Sequence, residues 1–145
     1  MKLVYCLEDD EGIRELVSCA LKSGGYEPVG FGTAKQFFEQ IQKELPELII
    51  LDIMLPDENG ISILKKLKGN IAYSKIPIIM LTAKTAEIDK VVALETGADD
   101  YITKPFGIME FLSRVKAVLR RVNKNEEISD SIFVLNDLSV DTQKR

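Results

Sequence analysis

Five polar residues in this chain sit where apolar runs end, and together they are suited to phosphorus chemistry. Glu8 and Asp9 follow LVYCL, Asp52 follows LIIL, Thr82 follows IPIIML, and Lys104 follows DYIT. Asp52 is the most unusual of them, because Ile53, Met54 and Leu55 continue the apolar run beyond it. An ionised carboxylate in such a run is costly unless it is partnered. Converging carboxylates repel one another unless a cation joins them. A ligand set of oxygens with no His or Cys favours a hard ion such as Mg²⁺, which keeps several waters and leaves room for a phosphate. A carboxylate beside such an ion can act as a nucleophile on phosphorus. Thr82 and Lys104 then offer a hydroxyl and an ammonium to the phosphoryl oxygens.

Each residue also has a plainer role. Asp10 suits the cap of the first helix. Glu8 and Asp9 taken singly are ordinary loop acids, Thr82 is a strand-end hydroxyl bonded to backbone, and Lys104 is a solvated lysine with Pro105 in a first helical turn. The joint pattern is much more specific than any member of it.

These residues need elements that bring them to one place. The spacing predicts strands at 3–7, 27–31, 48–51, 76–81 and 100–103, alternating with helices at 11–23, from Thr33, after Asn59-Gly60, at about 86–96 and at about 107–122. Ile13, Leu16, Val17, Ala20 and Leu21 form the predicted inner face of the first helix, and Ile108, Phe111, Leu112, Val115 and Leu119 that of the last. Thr33 and Gln36 have capping-box spacing. Solidly apolar strands are those of a parallel sheet covered on both faces. The expected fold is therefore α/β, an open doubly wound five-stranded parallel sheet with five helices, in one of the two common strand orders. Such sheets place their sites at the carboxyl ends of the strands near a switch point. In the order 2-1-3-4-5 the first and third strands are neighbours, so Glu8, Asp9 and Asp52 converge.

The 145 residues suit one domain with a sizeable core. Residues 123–131, NKNEEISDS, read as a linker, and Ile132, Val134, Leu138 and Val140 around Asn136-Asp137 read as a small hairpin too short to fold alone. The net charge of −4 argues against nonspecific nucleic-acid binding by the domain as a whole. With no His, His-based acid–base catalysis and His metal sites are excluded. Cys6 and Cys19 lack metal spacing and are expected to be buried free thiols in a reducing compartment. No run is long enough for a signal peptide or a membrane span.

The residues quoted resemble the receiver domain of bacterial two-component response regulators over residues 1–122, which implies the flavodoxin-like (CheY-like) α/β fold with strand order 2-1-3-4-5. The resemblance rests on Glu8-Asp9, LDIMLPDENG around Asp52, Thr82 in LTA, and Lys104-Pro105, with GADDYITKPF typical of the OmpR/PhoB winged-helix subfamily. It implies that Asp52 accepts phosphoryl from a sensor histidine kinase. It also implies that Asp9, Asp52 and the Met54 carbonyl hold Mg²⁺ with Glu8 acting mainly through water, and that Lys104 binds a phosphoryl oxygen beside a cis 104–105 bond. Thr82 and Tyr101 resemble the switch pair of the family; the plainer reading of Tyr101 is a half-covered edge-strand aromatic. Met54 and Lys84 fall at positions that influence dephosphorylation, and neither is acidic or an amide, so an unusually short phosphoryl lifetime is not expected. The dimer of the subfamily, through helix 4, strand 5 and helix 5, would pair Lys90 with Glu110, Glu95 with Lys116, and Asp100 with Arg114; the alternative is a solvated face. The tail resembles the first strands of a winged-helix effector domain, so DNA would be reached only through a domain beyond this chain. On this resemblance the protein is a cytoplasmic signalling domain, with no membrane partner, that catalyses only its own phosphoryl transfer and slow hydrolysis.

Two enzyme or carrier readings fit less well. A haloacid-dehalogenase-type phosphatase needs a second Asp two residues after its nucleophile, where Met54 stands. A flavodoxin-like carrier needs a phosphate-binding first loop, and EDDEG would repel phosphate. A receiver-like module that signals through protein contacts without phosphorylation is the remaining alternative.

Overall fold

The computed structural model describes residues 1–83 and 87–137, with side chains for 1–83 and 91–122. β1 (Leu3–Leu7), β2 (Glu27–Phe31), β3 (Leu48–Asp52), β4 (Ile78–Ala83) and β5 (Asp100–Lys104) alternate with α1 (Glu11–Ser23), α2 (Ala34–Ile41), α3 (Gly60–Lys68), α4 (Glu87–Thr96) and α5 (Ile108–Asp137). The strands form one parallel sheet in the order β2-β1-β3-β4-β5.

Strand alternation divides the core into two layers. Tyr5, Leu7, Ile49, Leu51, Ile78 and Met80 point to the side that also holds Phe37 and Ile41 of α2 and Ile63, Leu64 and Leu67 of α3. Val4, Cys6, Leu48, Ile50, Ile79 and Leu81 point to the side of Val17, Ala20 and Leu21 of α1 and Phe111, Val115 and Val118 of α5. Both faces of β1, β3 and β4 are thus dry, which explains their unbroken apolar sequences.

Local chemistry starts the helices where the capping residues predict. Asp10 accepts from the Ile13 amide (3.0 Å), Thr33 from Gln36 (3.3 Å) and Asn59 from Ile61 (2.7 Å). Gly60 is required by proximity, since a Cβ there would overlap the Asp52 carbonyl and press on the Ile53 Cα. The loop after β3 can fold back onto that strand only because α3 begins with this residue.

Four details differ from the sequence expectation. β4 starts at Ile78 rather than Ile76, after Pro77, which has no N–H to give the ladder. Leu16 is partly exposed, because at 100° per residue it lies to one side of the arc defined by Ile13, Val17, Ala20 and Leu21. Cys19 falls outside that arc as well and is exposed, so of the two free thiols only Cys6 is buried. Ile108 is exposed too, as the first residue of α5, ahead of the buried Phe111.

The largest difference is at the tail. α5 continues to Asp137, across the stretch expected to be a linker at 123–131 and into the expected hairpin from 132. No Gly or Pro interrupts that stretch, and lengthening an existing helix needs no new nucleus, whereas a two-stranded hairpin alone is marginal. Residues 138–145, with Leu138 and Val140 of the expected hairpin, lie outside the described residues.

Candidate functional site

Register alone gathers the polar residues at one rim. Leu7 of β1 is level with Leu51 of β3, so the next residues, Glu8 and Asp52, emerge side by side. Asp52 is level with Leu81 of β4, which puts Thr82 one step beyond it, and Thr82 and Ala83 are level with Thr103 and Lys104 of β5. The outcome is a cluster in which one carboxylate oxygen each of Glu8, Asp9 and Asp52 lies within 4.8 Å of the others.

Glu8 (1% exposed), Asp52 (3%) and Thr82 (1%) are the buried polar residues of the described chain, while Asp9 is exposed at the mouth. Lys104 reaches over from β5 and donates to Glu8 Oε1 at 3.0 Å and Asp52 Oδ1 at 3.2 Å. The Lys104–Pro105 peptide bond is cis, as the resemblance implies. The other Glu8 oxygen accepts from the Asp10 amide (3.1 Å), and Asp52 Oδ1 also accepts from the Met54 amide (3.3 Å). Both Glu8 oxygens are therefore engaged directly by protein. The Thr82 hydroxyl donates to the Ala83 carbonyl at 3.3 Å, the strand-end role that its position allows.

The charges do not balance. Three carboxylates face one ammonium, so full ionisation leaves an excess of two negative charges. The effect on Glu8 is large. Burial raises its pKa from 4.5 to about 7, with the Asp52 carboxylate adding to the shift and Lys104 opposing it. Burial works against the Lys104 charge, but Glu8 and Asp52 outweigh it and leave the lysine pKa above its ordinary value. Cys6, just beneath the cluster, has its thiol pushed well up, first by burial and then by Glu8. An all-oxygen donor set with two uncompensated charges and one exposed member suits a hard divalent cation that keeps part of its water shell.

The other expected site residues fall as follows. The Met54 side chain is exposed, and its backbone turns beside Asp52 and bridges to Asn59. Tyr101 is half-buried against the α2–α3 layer of the core, at some distance along the sheet from the acids. Arg114 meets both Asp100 oxygens at 3.1 Å and Glu110 at 3.3 Å within the one chain, and the Asp100 bond is the first cause of its raised pKa. Glu95 and Lys116 are exposed, and Lys84 and the Lys90 side chain lie outside the described residues.

Two supporting residues were not singled out from sequence. Arg14 of α1 donates to the Glu8 carbonyl at 2.7 Å and the Asp9 carbonyl at 3.4 Å. Asp57 accepts from the Ala34 and Lys35 amides at 3.1 and 3.3 Å, tying the loop after β3 to the first turn of α2. Gly30 was the available signal for Arg14, since a glycine inside a strand marks close approach; Asp57 gave no local sign of a partner 23 residues away.

A family model described as "Response regulator receiver domain" matches residues 4–116. The phosphate regulon transcriptional regulatory protein PhoB of Escherichia coli is 44% identical over 120 residues, covering 83% of this chain and 52% of that protein. The alkaline phosphatase synthesis transcriptional regulatory protein PhoP of Bacillus subtilis is 40% identical over 147 aligned positions, covering 96% of this chain and 60% of that protein. Among solved structures, a Francisella response regulator 1452 receiver domain superposes with a TM-score of 0.76 at 30% identity, covering 83% of this chain and 98% of that one. The chain spans little more than half the length of these curated relatives.

Proposed function

This chain belongs to the response regulator receiver domain family, and we propose that it is the phosphorylation-controlled part of a transcription regulator of OmpR/PhoB type. The observation that carries this reading is the buried Asp52 carboxylate, held at a strand end beside Glu8, Asp9 and Lys104. Asp52 attacks the phosphorus of a phosphohistidine on a sensor kinase. A P–O bond to Asp52 forms, the P–N bond breaks, and the histidine ring leaves with the bonding electron pair. Asp9, Asp52 and the Met54 carbonyl would hold Mg²⁺, and Glu8 would contribute to the acidic surroundings. The ion, when bound, supplies the positive charge that lets an anionic phosphoryl group approach three acids.

Lys104 is placed to move from its carboxylate partners to a phosphoryl oxygen. Thr82 gives up only a 3.3 Å bond to the neighbouring carbonyl if its hydroxyl turns toward the new group. Tyr101, half-buried two strands away from Asp52, is the aromatic that follows it inward. The exposed Met54 side chain offers no group to position water, so the acyl phosphate should outlast seconds without an added phosphatase; decay within seconds would contradict this.

The readout is a two-fold dimer through α4, β5 and α5, with Lys90, Glu95 and Asp100 meeting Glu110, Lys116 and Arg114 of a second copy. The intrachain bonds of Arg114 to Asp100 and Glu110 would be exchanged for bonds between copies. Exposed pairs of this kind set register more than affinity. Residues 1–122 form the receiver, 123–131 continue α5 and link it onward, and 132–145 lead toward a winged-helix effector through which the intact cytoplasmic protein reaches DNA. The similarity to PhoP covers 96% of this chain and so runs past residue 122.

The test is to treat the protein with a small phosphodonor, with and without Mg²⁺, beside Asp52→Asn and Arg114→Glu. Intact mass should show a Mg²⁺-dependent adduct that Asp52→Asn lacks, and size exclusion should show a shift toward dimer that Arg114→Glu weakens while keeping the adduct. No adduct in the unaltered chain would favour signalling through protein contacts alone.

A further inference from the structure

We propose that Arg14 is a positioning residue for the acidic centre: it clamps the β1–α1 loop by its backbone and so sets where Asp9 presents its carboxylate. The proposal rests on the metal-binding reading above and concerns a residue to which that reading gives no role.

The loop has few ways to be held. Glu8 is fixed from three directions, since its amide donates to the Phe31 carbonyl at 3.0 Å and its two carboxylate oxygens meet Lys104 and the Asp10 amide. Asp9 follows it, exposed at the mouth of the site. Arg14 Nη1 bridges the carbonyls on either side of the Asp9 amide, at Glu8 (2.7 Å) and Asp9 (3.4 Å), fixing the peptide planes that flank the Asp9 Cα. The anchor is itself rigid, because the Arg14 amide donates to the Asp10 carbonyl (2.9 Å) in the first turn of a helix capped by Asp10.

The sheet carries a matching feature. To reach the loop from α1, the Arg14 stem runs across β2. A Cβ on Gly30 would stand 2.9 Å from Arg14 Cγ and 3.0 Å from Cδ, and one on Gly32 would stand 3.3 Å from Nη1. Glycine inside a strand weakens it and is used where something must pass close by. Here Gly30 inside β2 and Gly32 just past its end open a track for a single side chain. The guanidinium keeps its charge in every condition and spreads several donors over a rigid plane, which a lysine cannot reproduce.

Charge and positioning predict opposite results. A fixed cation beside the acids repels Mg²⁺, so if Arg14 acted only through its charge, removing it would tighten Mg²⁺ binding. If Arg14 positions Asp9, removing it loosens a ligand and weakens binding, and loss of support behind a ligand commonly costs about tenfold in metal affinity. The experiment is calorimetric titration of the metal-free protein with MgCl₂, for the unaltered chain, Arg14→Met, Arg14→Lys and Gly30→Ala, with melting in EDTA for each. Arg14→Met should bind Mg²⁺ about tenfold more weakly. Arg14→Lys, which keeps the charge, should be weakened too. Gly30→Ala, which only displaces the stem, should move in the same direction by a smaller factor. Unchanged or tighter binding in folded Arg14→Met overturns the proposal. If that variant melts too low to titrate, unchanged binding in both Arg14→Lys and Gly30→Ala overturns it instead. Failure of the unaltered chain to bind Mg²⁺ would fall on the metal reading, which separates the two claims.

Discussion

At the amino ends of the strands, Lys2 and Glu47 meet at 3.5 Å, both about half exposed, beside a groove of about 380 Å³ walled mainly by Leu45, Pro46, Ile76, Pro77 and Leu119. At the carboxyl ends of the same strands, Lys104 meets two nearly buried carboxylates, with a third at the mouth. The first rim has a matched ion pair in water. The second has an unmatched charge out of water. Chemistry belongs to the second, because an exposed pair is screened and stores almost nothing, whereas a buried excess of negative charge attracts a cation and perturbs every group around it.

The sharpest way to break this contrast is to remove the ammonium bonded to the buried acids. Lys104→Met leaves Glu8 and Asp52 without their ammonium, and urea unfolding in EDTA at about pH 8 should show a loss of about 3 kcal/mol. Added Mg²⁺ should recover more stability in this variant than in the unaltered protein. A loss under about 0.5 kcal/mol would make this rim no different from an ordinary surface pair.

Glu8 gives a smaller effect with a definite sign. Its folded pKa of about 7 lies above the unfolded value of 4.5, so the folded protein holds that proton more tightly. Stability is therefore lost as pH rises from about 4.5, and the loss is complete above about 7. Between those limits, metal-free unaltered protein should lose stability relative to Glu8→Gln, measured as the difference between their urea midpoints across pH. A difference independent of pH would show that Glu8 titrates as it does in the unfolded chain.

The smallest effect belongs to the other rim. Glu47→Gln removes the charge facing Lys2 and keeps an oxygen for the Leu3 amide, which donates to Glu47 at 3.1 Å. Its unfolding free energy should stay within about 0.5 kcal/mol of the unaltered protein at low and high salt. A larger, salt-sensitive loss would mean the two rims differ less than their burial suggests.

The same contrast explains what was readable from sequence. The dry strands announced themselves as LVYCL, LIIL and IIML because burial on both faces removes the alternation of a half-exposed strand. Asp52 stood out because a carboxylate in such a run needs a reason, and parallel register then carried Glu8, Asp9 and Lys104 to it. Arg14 and Asp57 were not legible in their roles, since each acts on backbone of a distant segment and that partnership depends on the path of a folded chain. Leu16 was misplaced because helical periodicity gives an arc and tertiary packing decides its width, and Cys19 because its burial was inferred from its residue type without regard to that arc. The helical course of 123–137 was not legible for a related reason. NKNEEISDS has neither the apolar stripe of a packed helix nor the Gly or Pro that would end one.

The most direct test of the account is to locate the phosphoryl group itself. The protein would be treated with a small phosphodonor and Mg²⁺ and reduced with borohydride, which converts an aspartyl phosphate to homoserine, and its peptides mapped by mass. The account predicts homoserine at position 52 alone, absent when Mg²⁺ is withheld. Reduction at Glu8 or Asp9, or at position 52 equally without Mg²⁺, would contradict it.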